Sequence, residues 1–486
     1  MYFVVSTSNR YCIMKLTTVE TLCGLSALAF PAGAAVLTAP PLRNVMYFDQ
    51  WHTTTLPDKN VTAGITHVIM AFALSDLFVP DTAEPYEPFM PVDDVRSMFD
   101  DGTQLGIAIG GWGDNAGFGA GSKSSSSRAA WAQNVAKMLD EHGFDFVDID
   151  WEYPGGNGAD YKQIPNANKT GEIPAFPLLL EAVKDAVAPK PVSIAVPALP
   201  RDMMAFYDSP SVSSIWAAVD FVNIMTYDMI NRRDTETMHH SPVLGSLAAV
   251  DRYLALGLPA AKINLGFAFY AKYFETPAGN SSTAECSASR AVGCPIVKAE
   301  NDDGSDAGTS GTVTFEVSSF SPPAPPANLT VSPDETCGTG TAFTCAGLEA
   351  EGRGCCSQYG WCGSSAAHCG IGCQSEYGTC EGPDVAASFL EAMERGQLDE
   401  EEGGMWYWDA DARVFWTWDT PELIDRKFRE IVLARGLGGV MAWSLAEDSA
   451  DWSHIRAIAD GVRDLQEGLT IRPPRHFRPS STKRHF

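Results

Sequence analysis

Eight short runs of β-branched and aliphatic residues, separated by stretches with helical spacing, constrain this chain more than any other feature. They are Val45 to Phe48, His67 to Ala73, Leu105 to Gly110, Phe144 to Asp150, Val192 to Val196, Phe221 to Thr226, Ile263 to Ala268 and Gly439 to Ser444. Between them, sets such as Trp131, Val135, Met138, Leu139 and Ile424, Phe428, Ile431, Val432 recur at helical intervals. That alternation is the rhythm of βα units around a parallel sheet. Eight units predict a closed (β/α)8 TIM barrel of the α/β class; a doubly wound open sheet is the alternative that periodicity alone leaves open. With 486 residues there is room for such a barrel and a smaller module.

The rhythm breaks between the seventh and eighth runs, where Glu275 to about Glu381 is rich in Ser, Gly, Pro and Cys. Ser318 to Pro333 contains Pro322-Pro323-Ala324-Pro325-Pro326, which favours extended, semi-rigid geometry and reads as a linker. The organisation expected is a leader over residues 1–35, a first barrel part over 40–280 and an insertion with Pro-rich linker over 281–333. A cysteine-dense module over 334–382 follows, then a second barrel part over 383–468 and a basic tail over 469–486. The tail has little apolar content and is expected to be disordered.

Met14-Lys15 leads into the apolar stretch Leu22 to Phe30 and then the small residues Ala32-Gly33-Ala34-Ala35, the layout of a secretion signal, with Met14 as effective start. A leader that stays attached is the alternative. The stretch falls short of the roughly 20 apolar residues that spanning a bilayer requires, and no later run approaches that length. Cys337, Cys345, Cys355, Cys356, Cys362, Cys369, Cys373 and Cys380 crowd one segment, a density expected of disulfide-stapled, exported domains. Cys286 and Cys294 are candidates for a separate local bridge. Sequons at Asn60, Asn168, Asn280 and Asn328 are weak support for the same route. A net charge of -27 repels phosphate backbones and anionic lipid surfaces, so nucleic acid and membrane are excluded as partners and a neutral polymer is favoured.

The strongest chemical signal is Phe144-Asp145-Phe146-Val147-Asp148-Ile149-Asp150-Trp151-Glu152-Tyr153-Pro154. Strand side chains alternate, so Asp148, Asp150 and Glu152 share one side and Val147, Ile149 and Trp151 the other. If the apolar side meets the helices, the acids point into the barrel. Buried carboxylates are costly unless paired, so stability alone does not explain three in line; an exposed acidic strand face is the bland alternative. Barrel active sites lie at the carboxyl ends of strands, which places Glu152, just before Pro154, nearest a substrate. Closely spaced like charges resist joint ionisation, and this helps keep one acid protonated near neutral pH.

This run resembles the Asp-x-x-Asp-x-Asp-x-Glu signature of family 18 glycoside hydrolases, the chitinases and their relatives, and the resemblance covers about Asn44 to Lys272 and Gly403 to Asp448. It implies that Glu152 is the acid and base, that Asp150 orients the 2-acetamido group of the substrate, and that Asp148 exchanges hydrogen bonds and a proton with Asp150. The acetamido oxygen, rather than an enzyme carboxylate, is then the nucleophile, with retention at the anomeric carbon. Met225-Thr226-Tyr227-Asp228 resembles the family's Met-x-Tyr-Asp, with Tyr227 on the acetamido oxygen and Asp228 and Met225 near the sugar. Trp443, in Met441-Ala442-Trp443-Ser444, matches the Trp under the sugar at the cleavage point. Tyr47 and Phe72 match groove aromatics, and Trp112, Trp406 and Trp416 are looser candidates. The chain departs from the pattern at Ala108-Ile109-Gly110-Gly111, where the family carries a serine whose hydroxyl serves the inner Asp. The absence of that hydroxyl is expected to alter the protonation balance of Asp148 and with it the pH profile.

Sequence leaves the pairing of the eight clustered cysteines open. Around Cys355-Cys356-Ser357-Gln358-Tyr359-Gly360-Trp361-Cys362-Gly363 the segment resembles a hevein-type chitin-binding module. The resemblance implies the pairs Cys337 with Cys356, Cys345 with Cys362, Cys355 with Cys369 and Cys373 with Cys380. It also implies a sugar-binding face of Ser357, Tyr359 and Trp361, with His368 where a tyrosine is usual. The expected protein is thus a secreted, extracellular or cell-wall-associated chitinase that binds chitin and chitooligosaccharides, acts as a monomer and uses no metal or cofactor. A catalytically silent chitin-binding lectin and an endo-β-N-acetylglucosaminidase acting on N-glycans are the other readings.

Overall fold

The computed structural model describes residues 3–7, 10–14, 41–80, 83–207, 212–278, 286–321 and 324–468. The apolar leader stretch, the Asn280 sequon and the basic tail lie outside them. Phe3–Thr7 and Arg10–Met14 pair as an antiparallel hairpin that forms a unit of its own.

In the remainder, strands β1 (Arg43–Asp49), β2 (His67–Ala73), β3 (Gln104–Gly110), β4 (Phe146–Asp150), β5 (Val192–Pro197), β6 (Phe221–Met225), β7 (Ile263–Ala268) and β8 (Gly439–Trp443) form a closed barrel. Every neighbouring pair is parallel, and β8 pairs with β1 to shut the ring. All eight strands predicted from the sequence are present. Parallel strands need crossovers, and amphipathic helices supply them. Ser125–His142, for example, starts at Ser124, whose hydroxyl accepts the Ser127 N–H, and stops at Gly143 with φ 72°. It buries Trp131, Val135, Met138 and Leu139, the four residues of the predicted periodicity.

Alternation along the strands divides the core in two. Met46, Phe48, Val68, Met70, Ile107, Ile109, Val147 and Ile149 pack outward toward the helices. Val45, Tyr47, Ile69, Ala108, Phe146, Phe221 and Met441 fill the barrel interior. A polar ladder also climbs the interior. Arg43 Nε donates to Asn264 Oδ1 (2.9 Å), Asn264 Nδ2 to Asn223 Oδ1 (2.8 Å), and Asn223 Nδ2 to Asp148 Oδ1 (3.2 Å). A buried polar group is tolerated when its partners are buried with it, which explains why Asn223 and Asn264 can lie fully buried below Asp148.

The insertion differs from expectation. After β7 the chain leaves the barrel at once. Tyr270–Glu275 joins Ser310–Thr314, Val414–Trp418, Gly404–Asp409 and Gln397–Asp399 in a five-stranded antiparallel sheet. The helix Val385–Arg395 covers this sheet, Phe389 meeting Trp416 at 5.1 Å between rings. Residues 397–418, assigned above to the second barrel part, therefore belong to this layer, and barrel structure resumes with the helix starting at Pro421. Their aromatic alternation satisfies a sheet, and its partner strand lies about 140 residues earlier in the chain. The residues assigned to the linker are also partly ordered: Val317–Phe320 makes one helical turn, and Thr330–Val331 pairs with Phe343–Thr344.

In the cysteine-dense segment the disulfides join Cys337 to Cys356, Cys345 to Cys362, Cys355 to Cys369 and Cys373 to Cys380, with Cys286 bridged to Cys294. Its small core is made of half-cystines with Leu348 and Tyr377, so the covalent links carry much of its stability. Asn60, Asn168 and Asn328 are exposed, and no helix among the described residues is long and apolar enough to cross a membrane.

Candidate active site

β4 delivers Asp148, Asp150 and, two residues past its end, Glu152 to the carboxyl side of the barrel. Two glycines let the chain close up there. At Gly110, φ is +113° and a β-carbon would run into the Asp150 carbonyl; the Gly111 N–H donates to that same carbonyl at 2.9 Å. Strand β3 can thus press against the acid-bearing strand.

Asp148 is fully buried and takes three hydrogen bonds. Tyr47 O–H donates to Oδ2 at 2.7 Å, and Ser193 O–H (2.6 Å) and Asn223 Nδ2 (3.2 Å) donate to Oδ1. Ala108 lies opposite Asp148 in the β3–β4 register, and Ser193 lies opposite it in the β4–β5 register. The hydroxyl absent from β3 therefore has a counterpart on the other flanking strand. Burial still outweighs these donors and moves the Asp148 carboxyl up to about 6. Asp150 is pushed up further, by burial and then by the charges of Glu152 and Asp148, and its buried Oδ1 has no hydrogen-bond partner among the described residues. Glu152 is raised to about 7 by burial and by the negative Asp228 and Asp202, against a hydrogen bond from Tyr153. The outcome is an acid that keeps a proton near neutrality.

Tyr227 follows β6, anchored by Thr226, whose hydroxyl donates to the Gly266 carbonyl at 2.6 Å. Among the described residues the Tyr227 hydroxyl meets only the Met441 sulfur, 3.9 Å away, so its O–H is available to a ligand. Asp228 adopts φ 54° and accepts from Tyr270 O–H (2.8 Å) and Lys272 Nζ (3.0 Å). Burial works against its charge, but Lys272 and these bonds hold it below the usual carboxylate range. Trp443, at the end of β8, stacks on Phe72 (5.4 Å, 20°) and tilts against Tyr47 (5.6 Å).

Asp150, Glu152, Tyr227, Asp228, Trp443, Phe72 and Tyr47 line one open groove of about 1470 Å³ with Met225 and Trp112, and Asp148 lies buried below it. That exceeds the ~300–1,000 Å³ of sites for small ligands and suits an extended one. Trp51 and Trp112 stand 62% and 52% exposed in it, an arrangement for stacking on a flat ligand face. Arg233 lies 3.9 Å over the Tyr161 ring. Trp51, Tyr153, Asp202, Tyr270 and Lys272 were not singled out from the sequence; the position of Trp51 just past β1 was the one available signal. Trp406 and Trp416, named above as looser groove candidates, are excluded: both are buried, Trp416 against Tyr273 and Trp406 against Ala291 and Phe415. Their strands lie in the inserted sheet, which turns these rings into its own core.

In the cysteine-dense segment Tyr359 and Trp361 are exposed, whereas Ser357 is buried with its Oγ accepting the Trp361 N–H at 3.1 Å. The Ser357 hydroxyl therefore braces the turn beneath the exposed face. His368 is half-buried, its Nδ1 2.7 Å from Ser365 Oγ. Besides cysteines consumed in disulfides, Asp49, His52 and Glu447 are the residues whose ligand atoms converge among the described residues. Asp49 is already taken by the N–H groups of Trp51 and His52 and by the Ser444 hydroxyl. Burial depresses His52, yet Asp49 and Glu447 raise it to about 9, so a protonated imidazole supplies the positive charge there.

A family model described as glycosyl hydrolases family 18 matches residues 43–448. Chitinase 1 of Aphanocladium album is 26% identical over 312 residues, which is 54% of this chain and 70% of that protein. Endochitinase 1 of Metarhizium robertsii is 31% identical over 194 residues, 36% of this chain and 42% of that one. Among solved structures, a chitinase from Rhizomucor miehei superposes with TM-score 0.58 at 19% identity, covering 87% of this chain and 100% of that one. Catalytic domain 2 of an Ostrinia furnacalis Group II chitinase, in complex with penta-N-acetylchitooctaose, gives 0.57 at 18%, covering 88% and 97%.

Proposed function

Because the chain belongs to the glycosyl hydrolases of family 18, we propose that it hydrolyses the β-1,4 linkages of chitin with retention, using the substrate's own acetamido group as nucleophile. One observation carries this reading: Asp148 and Asp150 on β4 and Glu152 two residues past it lie on one side of the chain at an open aromatic groove, with the Tyr227 hydroxyl lining the same groove. Glu152 donates its proton to the leaving oxygen. Asp150 and Tyr227 hold the acetamide so that its carbonyl oxygen attacks the anomeric carbon from the opposite face, and Asp148 steadies Asp150 as positive charge develops. Water, activated by the now ionised Glu152, opens the oxazolinium ion. Phe72, Trp443, Trp51 and Trp112 offer apolar surface to sugar rings.

The cysteine-dense segment, with four internal disulfides and exposed Tyr359 and Trp361, reads as a hevein-like chitin-binding module, and its oxidised cysteines fit an exported, extracellular protein. A monomer suffices, since every group invoked comes from one chain. The test is release of sugar from chitotetraose set beside release of N-glycan from a glycoprotein. Chitooligosaccharide cleavage alone supports the proposal, glycoprotein cleavage alone replaces it with an endo-β-N-acetylglucosaminidase, and chitin binding without cleavage of either makes the protein a lectin.

Two further outcomes follow from the electrostatics. Asp202 helps hold the Glu152 proton. Substituting Asp202→Asn removes a negative neighbour, favours ionised Glu152, and is expected to shift the alkaline limb of kcat against pH downward by several tenths of a unit. An unmoved or rising limb contradicts this. Ser193→Ala removes the 2.6 Å donor to Asp148. Activity is expected to fall about tenfold, with the acidic limb moving to higher pH because ionised Asp148 has lost a donor. Adding Ala108→Ser, opposite Asp148, is expected to restore part of both; an S193A profile that overlays the wild type refutes the assignment.

A further inference from the structure

The groove that holds Glu152 and Asp150 runs on past the barrel. Its wall includes Thr312 and Gly311 of the inserted sheet, Asp306 of the loop before it, and Tyr359 of the cysteine-dense segment. That segment is docked against the sheet. Tyr273 donates its phenolic O–H to Gln358 Oε1 at 3.0 Å. Gly372 lies against the same phenol, where a β-carbon would come within 2.7 Å of its oxygen, and Gly308 lies against the backbone of Ala366. Both glycines have positive φ and leave no room for a side chain, so the two surfaces meet backbone to neighbour.

The Tyr359 ring is held by the loop before the inserted sheet, which in turn lies against a barrel loop. Although 62% exposed, it donates its O–H to Asp306 Oδ2 at 3.1 Å, and Arg232 Nη1 lies 3.8 Å from that oxygen. Arg232 sits in the loop after β6, four residues beyond Asp228, and lines the groove too. An exposed aromatic ring locked in place by its polar tip makes a preorganised stacking surface. A module on a free linker would concentrate enzyme on insoluble polymer and be indifferent to the length of a soluble chain. A module built into the groove wall would not be.

We propose that the cysteine-dense segment is a fixed wall of the catalytic groove, and that Tyr359 is a distal subsite for the same N-acetylglucosamine chain whose scissile bond lies at Glu152. This rests on the chitin-hydrolase reading above. The test compares wild type, Tyr359→Ala and Tyr359→Phe, each checked for intact disulfides by mass and for folding by thermal melting, on soluble chitotriose and chitohexaose. The ratio of kcat/KM for hexaose to that for triose is expected to fall by roughly three- to tenfold in Y359A and by less in Y359F, which keeps the ring. An unchanged ratio in Y359A, with loss only of retention on insoluble chitin, overturns the proposal in favour of a separate anchor.

Binding keeps this inference distinct from the reading beneath it. Hexaose affinity is measured by calorimetry on the Glu152→Gln protein with and without Y359A. If wild type cleaves neither oligomer, the hydrolase reading fails. Weaker hexaose binding in the double variant would still uphold the shared groove, and equal binding would remove it.

Discussion

Glu152→Gln is expected to lower kcat on chitotetraose by about 10³-fold while KM changes little, because the amide keeps the shape and loses the transferable proton. The expected size follows from the site. Burial, Asp228 and Asp202 raise Glu152 to about 7, so the wild-type protein keeps a share of its acid protonated near neutrality. Tyr153 and Tyr227, two of the groups around it, are phenols raised well above their ordinary values and poor substitutes as donors. A variant with a tenth or more of wild-type activity would mean that the leaving oxygen is protonated by another group.

Asp150→Asn is expected to cost about 10²- to 10³-fold in kcat, the range found for removing one preorganised electrostatic partner of a transition state. Asp150 lies between Asp148 and Glu152 and has a buried carboxylate oxygen with no partner among the described residues. An acceptor left open at the groove is explained if the substrate amide N–H completes it. The asparagine can still orient an amide but cannot offset charge on an oxazolinium ion. The loss should therefore appear in kcat with substrate affinity largely kept. A variant that loses affinity and keeps kcat would assign Asp150 to ground-state binding.

The barrel was legible because each parallel strand, buried on both faces, reads as a short apolar run bounded by polar residues. On β4 the acids broke that pattern at every second position, and this disclosed their common face. What escaped the sequence was contact across long separations. Ser193 and Ala108 flank Asp148 from opposite strands, and only the register shows that one hydroxyl stands in for the other. The Arg43, Asn264 and Asn223 ladder involves residues up to 221 positions apart. Trp406 and Trp416 were named as looser groove candidates; the pairing of their strands with each other and with Tyr270–Glu275 was invisible to local periodicity. The docking of Gln358 on Tyr273 was hidden for the same reason, and a Pro-rich stretch suggested a semi-rigid linker to a separate module instead.

The most direct test of substrate-assisted hydrolysis is the anomeric configuration of the first product released from chitotetraose by the wild-type protein, followed by proton NMR before mutarotation sets in. Retention through Glu152 and the acetamido group predicts that the β-anomer appears first and drifts toward equilibrium. Early accumulation of the α-anomer would require direct attack by water, and Asp150 and Tyr227 could not then be holding the acetamide as the nucleophile.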